Sequence, residues 1–447
     1  PVKPNVIFLE NIDHETIAAS GNWNEKSLIW QFENIDTIGS LLKVTKEEYE
    51  AIQVGNNLFG ENAQKLKSEA KYLSRGYHCV VTNPPYLGKG FCDVLKAYGQ
   101  KEYPNSKADT MATFMERCME FCTPKGKMAM INMQNWMFVG SYENLRKSIL
   151  NLYSIDNMLL LGPRVFEELT GEVTKTVAFV FTNYHAHVFY TKYYKLISGN
   201  SSKEKESIFF KHNYYIVNSE EHFKQIPSHR FGFWLKDSSL KVFSNKKVAN
   251  FSIPREGMTT AGNDIFLRLW HEVEYNGIGF NYTREEALAS KLKWFPYAKG
   301  GSYRLWYGNT EYVVDWFNDG ERIQNNYDSE TGRLRSHNYN LEYIFKECIS
   351  WSRMNNSFRL YPKGFLCDST GTPLYTSQNK YKLLAFLVTK VAKYILDIYN
   401  PSIVIQPGDV ASLPYDDFKE IDNQTIIDSI SISKSDWDAH ETSWDFT

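Results

Sequence analysis

The stretch His78-Cys79-Val80-Val81-Thr82-Asn83-Pro84-Pro85-Tyr86 decides how this chain is read. Its apolar first half reads as a buried strand, and the strand must end at Pro84, which lacks a backbone donor and fixes its own φ. An Asp/Asn/Ser, Pro, Pro, aromatic pattern would arise by accident roughly 0.01 times in a chain of this length. Its position matters as much as its rarity. Open α/β sheets bind ligands at the carboxyl ends of their strands, which is where this motif falls.

Outward from the motif, apolar runs of strand length alternate with helical ones. Residues 5–9 read as a strand, 46–55 as a helical stretch and 109–122 as an amphipathic helix. Lys125-Gly126 marks a turn. Residues 127–133 and 173–182 read as further buried strands, with a helix over 142–152 between them. Strand-helix-strand units predict a mostly parallel sheet, so residues 1–184 are expected to form an α/β domain. Periodicity weakens over 185–250, which includes the polar run ISGNSSKEKES, and this reads as a linker or small subdomain. Residues 251–415 carry short aromatic segments between glycine turns and one helix over 380–398, the pattern of a separate α+β domain. An acidic segment, 416–447, follows and shows no evident terminal element.

Composition excludes several classes. Of 447 residues, 43% are hydrophobic and 23% charged, so the chain is expected to fold and not to be disordered. No window offers the ~18 to 20 consecutive apolar residues of a membrane span. The opening PVKPNVIFLENID has no signal-peptide pattern, and a cytoplasmic location is expected. The six cysteines include no CxxC pair. They read as reduced and mostly buried, with Cys118 and Cys122 as core thiols, and no metal site is expected. Net charge is −2, but residues 416–447 hold nine acids against Lys419 and Lys434, a sum of −7, which leaves +5 for the rest. That balance permits a basic groove without requiring one. There is no G-x-S-x-G, no P-loop and no nuclease pattern.

The motif suggests a chemistry. Pro84 and Pro85 remove two donors and present two rigid acceptors, the Asn83 side-chain oxygen and the Pro84 carbonyl. Two fixed acceptors suit an NH₂ group. An exocyclic amine on a base ring is a weak nucleophile because its lone pair is delocalised. Accepting both hydrogens out of the ring plane favours a tetrahedral nitrogen that can attack an electrophilic methyl group. Tyr86 offers a face for stacking, worth ~1 to 3 kcal/mol. Two polar glycine loops, 257–263 with Thr260 and Asn263, and Lys299-Gly300-Gly301, lie beside Arg255, Arg268, Lys293 and Arg304. They are candidates for close contact with a phosphate backbone, with ordinary turns as the alternative.

Asn83 to Tyr86 matches the motif of amino-group methyltransferases that use S-adenosylmethionine. The chain most resembles the large adenine-specific DNA methyltransferases of the PglX type, found in BREX phage-resistance systems and allied to restriction-modification enzymes. The segments GMTTAGNDIFLRLWHEV, WFPYAKGGSYRLWYGN, YVVDWFNDG, ISWSRMNNSFRLYPKGFLCD, YNPSIVIQPGDVASLPY and DWDAHETSWDF carry that likeness through the second half. The resemblance implies a partial Rossmann-like methyltransferase sheet followed by a target-recognition domain. It implies S-adenosylmethionine as cofactor, double-stranded DNA as substrate, and other phage-defence proteins as partners, with no membrane. Asn83, Pro84, Pro85 and Tyr86 would form the catalytic loop, with Tyr86 stacked on a flipped adenine. Asp109 in KADTMATFMER would border the cofactor, although it also suits the helix dipole. Phe179, or Phe181, would lie against the base, although a core role fits each.

One part of the family pattern is missing. No glycine ahead of Asn83 sits in a G-x-G turn after a strand, and Glu10 or Asp13 is the nearest approach to a ribose acid. The chain is therefore expected to be an internal fragment of a longer enzyme. Adenine N6 methylation is the leading expectation, and cytosine N4 stays open because the same acceptors suit its amine. Cytosine C5 chemistry is excluded because no Pro-Cys pair exists, and a protein-glutamine substrate would not need the second domain. A DNA-recognition or defence-complex scaffold without turnover is the alternative from another class.

Overall fold

The computed structural model describes residues 6–55, 60–86, 92–106, 109–166, 174–400, 404–416 and 422–447. It divides into two units, Pro1–Leu235 and Lys236–Thr447.

The first unit is built on six strands: β1 (Tyr77–Thr82), β2 (Cys122–Met133), β3 (Ser154–Gly162), β4 (Thr176–Thr182), β5 (Tyr190–Lys195) and β6 (Tyr215–Asn218). Their spatial order is β1-β2-β4-β3-β5-β6. The sheet is mixed, where a mostly parallel one was expected. β1 and β2 are parallel, as are β3 and β5, but β4 runs antiparallel to both of its neighbours and β6 to β5. The connections explain this. The crossover from β1 to β2 passes through helices and returns parallel, whereas β4 follows β3 with no helix among the described residues between them and so reverses.

Ahead of β1 the chain is helical. Residues 6–10 are not in a strand: they have no strand partner, and Val6 and Phe8 are exposed. Asn5, the start of that expected strand, lies outside the described residues, as does Val173. The helices are α1 (His14–Ala19), α2 (Lys46–Ala51), which stops short of the expected 55, α3 (Gly60–Ser74), α4 (Asp93–Glu102) and α5 (Thr110–Glu120). Ile17, Phe32, Leu42, Leu66, Ala70 and Tyr103 form their core. Arg117 of α5 ties that core together: its guanidinium donates to the carbonyls of Ser40 at 3.0 Å, Leu42 at 2.7 Å and Leu73 at 2.9 Å. Helix α6 (Glu143–Leu152) crosses between β2 and β3 as expected.

The stretch 185–250 does not stand apart. Its residues through Leu235 belong to the first unit, where they supply β5, β6 and α7 (Ser219–Lys224). The strands escaped a hydropathy reading because polar groups fill their buried positions. Thr191 Oγ1 and the Tyr193 hydroxyl both meet Ser219 Oγ, at 2.9 and 2.7 Å.

The second unit holds two four-stranded sheets, ordered β13-β9-β10-β8 and β12-β11-β14-β7. Their strands are β7 (Ile253–Pro254), β8 (Leu267–Leu269), β9 (Trp294–Ala298), β10 (Tyr312–Asp315), β11 (Cys348–Ser352), β12 (Ser357–Tyr361), β13 (Leu366–Cys367) and β14 (Gly371–Tyr375). Aromatic residues, among them Phe295, Tyr297, Trp316 and Phe345, fill the core beneath β9 and β10. The single helix expected over 380–398 is two, α8 (Lys380–Leu387) and α9 (Lys390–Tyr399). Thr389 restarts the second by accepting the Ala392 N–H at 3.1 Å. The acidic end of the chain also differs from expectation, because it forms α10 (Asn423–Asp438). Asp436 pairs with Arg304, and Lys434 holds Asp438 and Asp445, so three of the nine acids of this segment are paired within the fold.

Cys118, Cys122, Cys348 and Cys367 are buried, while Cys79 and Cys92 are exposed. Among the described residues no helix is long and apolar enough to cross a membrane.

Glu69 of α3 is 2% exposed and, among the described residues, accepts only the Glu10 N–H, at 3.3 Å. Burial raises its pKa to about 7. Because the folded value lies above the ordinary 4.5, stability should fall as pH rises from about 4.5 through about 7. The full span is on the order of 2 to 3 kcal/mol. Chemical denaturation at pH 5 and pH 7.5 should show the loss in the wild type, and Glu69→Gln should remove most of it.

Candidate active site

β1 is an edge strand, not the buried one expected. It pairs with β2 alone among the described residues, and Cys79 and Val81 are exposed, Val81 by 72%. The pairing is parallel and places Thr82 opposite Met130, so the carboxyl ends of β1 and β2 lie together. Residues 83–86 leave the sheet there.

Within that loop Asn83 is exposed, Pro84 buried and Tyr86 half-buried. The Tyr86 hydroxyl lies 2.8 Å from Asn83 Oδ1 and 3.3 Å from the Ile131 carbonyl on β2. A phenol has one proton, so the shorter contact takes it and orients the Asn83 amide with its oxygen towards Tyr86. That oxygen keeps a second lone pair. Burial raises the Tyr86 phenol above its ordinary value, which keeps it protonated and donating.

The loop is held from its other side by α5. Asp109 caps this helix in an extended conformation and accepts the Met111 N–H at 3.0 Å, while Thr110 Oγ1 donates to the Pro85 carbonyl at 2.8 Å. Burial pushes the Tyr142 phenol above its ordinary range, with the charge of Asp109 as the lesser cause. The structure thus brings Asn83, Pro84, Pro85 and Tyr86 together with the start of α5. Thr110 was missed in the sequence, although its place directly after a capping Asp was a legible signal.

Phe179 is elsewhere. It sits at 2% exposure in the middle of β4, stacked on Phe181 at 4.5 Å and edge-on to Trp136 at 5.4 Å. Its ring is part of the core, a role the sequence also allows. Alternation along β4 points Phe179 and Phe181 to one packed face.

The other candidates belong to the second unit. Thr260 is buried and donates to Asn263 Oδ1 at 2.7 Å, with Asn263 itself exposed. Arg255 lies over the Tyr343 ring at 5.2 Å, and Lys299 over Tyr312 at 6.0 Å. Arg304 pairs with Asp436 and lies over Trp437 at 5.1 Å. Internal packing explains the neighbouring glycine. A Cβ at Gly300, where φ is +87°, would fall 2.7 Å from the Thr370 carbonyl. The close approach there is to the chain's own backbone.

Residues 12–166 match the model of the Eco57I restriction-modification methylase family. The chain is 38% identical over 392 residues to the adenine-specific methyltransferase PglX of Lacticaseibacillus casei (strain Zhang), an alignment covering 84% of this chain and 32% of that protein. It is 32% identical over 444 residues to the adenine-specific methyltransferase BrxX of Escherichia coli O9:H4 (strain HS), covering 93% of this chain and 35% of that protein. The chain is a homologue of PglX and BrxX. It spans about a third of the length of these curated relatives. Its fold is similar to that of the type IIL restriction-modification enzyme MmeI, solved in complex with DNA, with a TM-score of 0.52 at 10% identity over 85% of this chain and 52% of that one.

A methyltransferase needs a methyl donor, and the acids expected to border one are otherwise engaged among the described residues. Asp13 spends its carboxylate on capping α1, accepting from Thr16 N and Oγ1, both at 2.7 Å. Glu10 pairs with Lys65, and Asp109 caps α5. What the site does provide is the acceptor side, an exposed amide oxygen on a frame fixed by β2 and α5.

The frame is testable by itself. Thr110→Val removes the bond to Pro85 at near-constant shape and should cost about 1 kcal/mol in urea unfolding, with an unchanged circular dichroism spectrum. A cost near zero would mean that α5 does not hold the loop.

Proposed function

We propose that this chain carries the target-base site and the recognition unit of an adenine-specific DNA methyltransferase acting in phage defence. The observation that carries the reading is the Asn83 to Tyr86 loop at the carboxyl end of β1, with Asn83 exposed, Tyr86 donating to Asn83 Oδ1 and Thr110 holding the Pro85 carbonyl. In it the N6 hydrogens of a flipped adenine are accepted by Asn83 Oδ1 and the Pro84 carbonyl. Holding both hydrogens out of the ring plane concentrates the lone pair on nitrogen, and no general base is needed to start the attack. Tyr86 stacks on the extruded ring and offsets part of the few kcal/mol that unstacking costs.

S-adenosylmethionine supplies an electrophilic methyl group when bound. Its pocket is completed by further strands added to the open edge of β1, where unpaired backbone groups and the exposed Cys79 and Val81 present a pairing surface. The second unit selects the sequence on double-stranded DNA. Asn263, Arg255 and Lys299 are the contacts retained from the sequence reading, and Arg304 instead positions α10. The site of action is the cytoplasm.

In the full-length protein, transfer from labelled S-adenosylmethionine to unmodified bacterial DNA should fall at least about 100-fold in Asn83→Ala, with DNA affinity unchanged. Loss of DNA binding together with transfer would make Asn83 structural. Undetectable transfer by the wild type, with DNA binding intact, would support the scaffold reading instead.

A further inference from the structure

The loop between β4 and β5 carries His185 and His187, and α7 carries Glu220. The sheet brings them together. β5 pairs with β6 so that Tyr190 lies opposite Asn218, which sets the end of the histidine loop beside the start of α7. One nitrogen from each imidazole and one Glu220 oxygen all lie within 4.8 Å of one another.

We propose that His185, His187 and Glu220 bind one divalent transition-metal ion of the zinc class. Two imidazoles and a carboxylate are a donor set that Zn²⁺ accepts, and bonds of ~2.1 Å at tetrahedral angles set ligand atoms about 3.4 Å apart. His185 Nε2 is already 3.1 Å from Glu220 Oε2. His187 is exposed, and its ring centroid lies 4.8 Å from that of His185. The carboxylate is oriented for this role, because Lys224 holds its other oxygen, Oε1, and leaves Oε2 facing the histidines.

The backbone around His185 is fixed before any ion arrives. Ser154 Oγ donates to the Tyr184 carbonyl at 2.7 Å and accepts the Ala186 N–H at 3.2 Å. Asn183 Nδ2 donates to the Cys122 carbonyl at 2.8 Å. The His185 ring turns Nε2 to Glu220, and its buried Nδ1 finds no hydrogen-bond partner among the described residues. Beside it a cavity of about 20 Å³, bounded by His185, Glu220, Asn218 and Phe189, has room for a single water as fourth ligand. Sequence spacing gives no sign of this site. Glu220 is 33 positions beyond His187, and only the β5–β6 register joins them.

The ion would clamp the β4–β5 loop to α7 within the first unit, so it should act on stability. The test is isothermal titration of Zn²⁺ into the purified, tag-free chain after dialysis against chelator, with thermal unfolding in parallel. One saturable equivalent and a higher Tm are expected for the wild type. His187→Ala and Glu220→Gln should each weaken binding by about tenfold or more and abolish the Tm rise, while their zinc-free Tm stays near the wild type. His187 is exposed, so its loss leaves the fold intact and keeps the result readable. No saturable binding would overturn the proposal. Binding equally tight in both variants would also overturn it, placing the ion on other groups such as the exposed Cys79 and Cys92 and leaving His185 and Glu220 as an ion pair only.

Discussion

The parallel pairing of β1 with β2 is the constraint on which the candidate site rests. It is the one strand pairing β1 makes among the described residues, and it fixes where Asn83 leaves the sheet. The Tyr86 hydroxyl then spans from the loop back to the Ile131 carbonyl of β2, and Thr110 draws the Pro85 carbonyl to α5. Two prolines make the backbone between these anchors stiff. The result is an amide oxygen that is exposed yet held in place, which is what recognition of an NH₂ group requires. A flexible loop would spend the binding free energy on ordering itself.

The same geometry explains what the first unit lacks. A strand as apolar as Tyr77–Thr82 is normally covered on both sides, yet here Cys79 and Val81 face outward. Three acids of this unit are engaged in capping or pairing, Asp13 on α1, Asp109 on α5 and Glu10 with Lys65.

The sequence made the motif and its strand legible because proline breaks the ladder at a defined residue, and α5 and α6 because their apolar spacing is regular. Other features were hidden for physical reasons. β4 runs antiparallel to β3 with no helix among the described residues between them, and single residues do not encode that reversal. β5 and β6 carry Thr191, Tyr193 and Ser219 inside, where hydrogen bonds replace hydropathy as the marker of burial. The role of Arg304 depended on Asp436, 132 residues later. Phe179 could be read as a base contact or as core from the sequence, and the packing of Trp136 and Phe181 around it decides for the core. His185, His187 and Glu220 are separated by a strand pair whose register no local pattern announces.

The central claim is that Asn83 and Pro84 accept the two amine hydrogens of an extruded adenine. A structure of the protein bound to duplex DNA containing its target adenine tests this most directly. The account predicts the adenine out of the stack, its N6 about 3 Å from both Asn83 Oδ1 and the Pro84 carbonyl, and its ring on Tyr86. An adenine left stacked in the duplex, or an extruded base whose amine contacts neither acceptor, would contradict it.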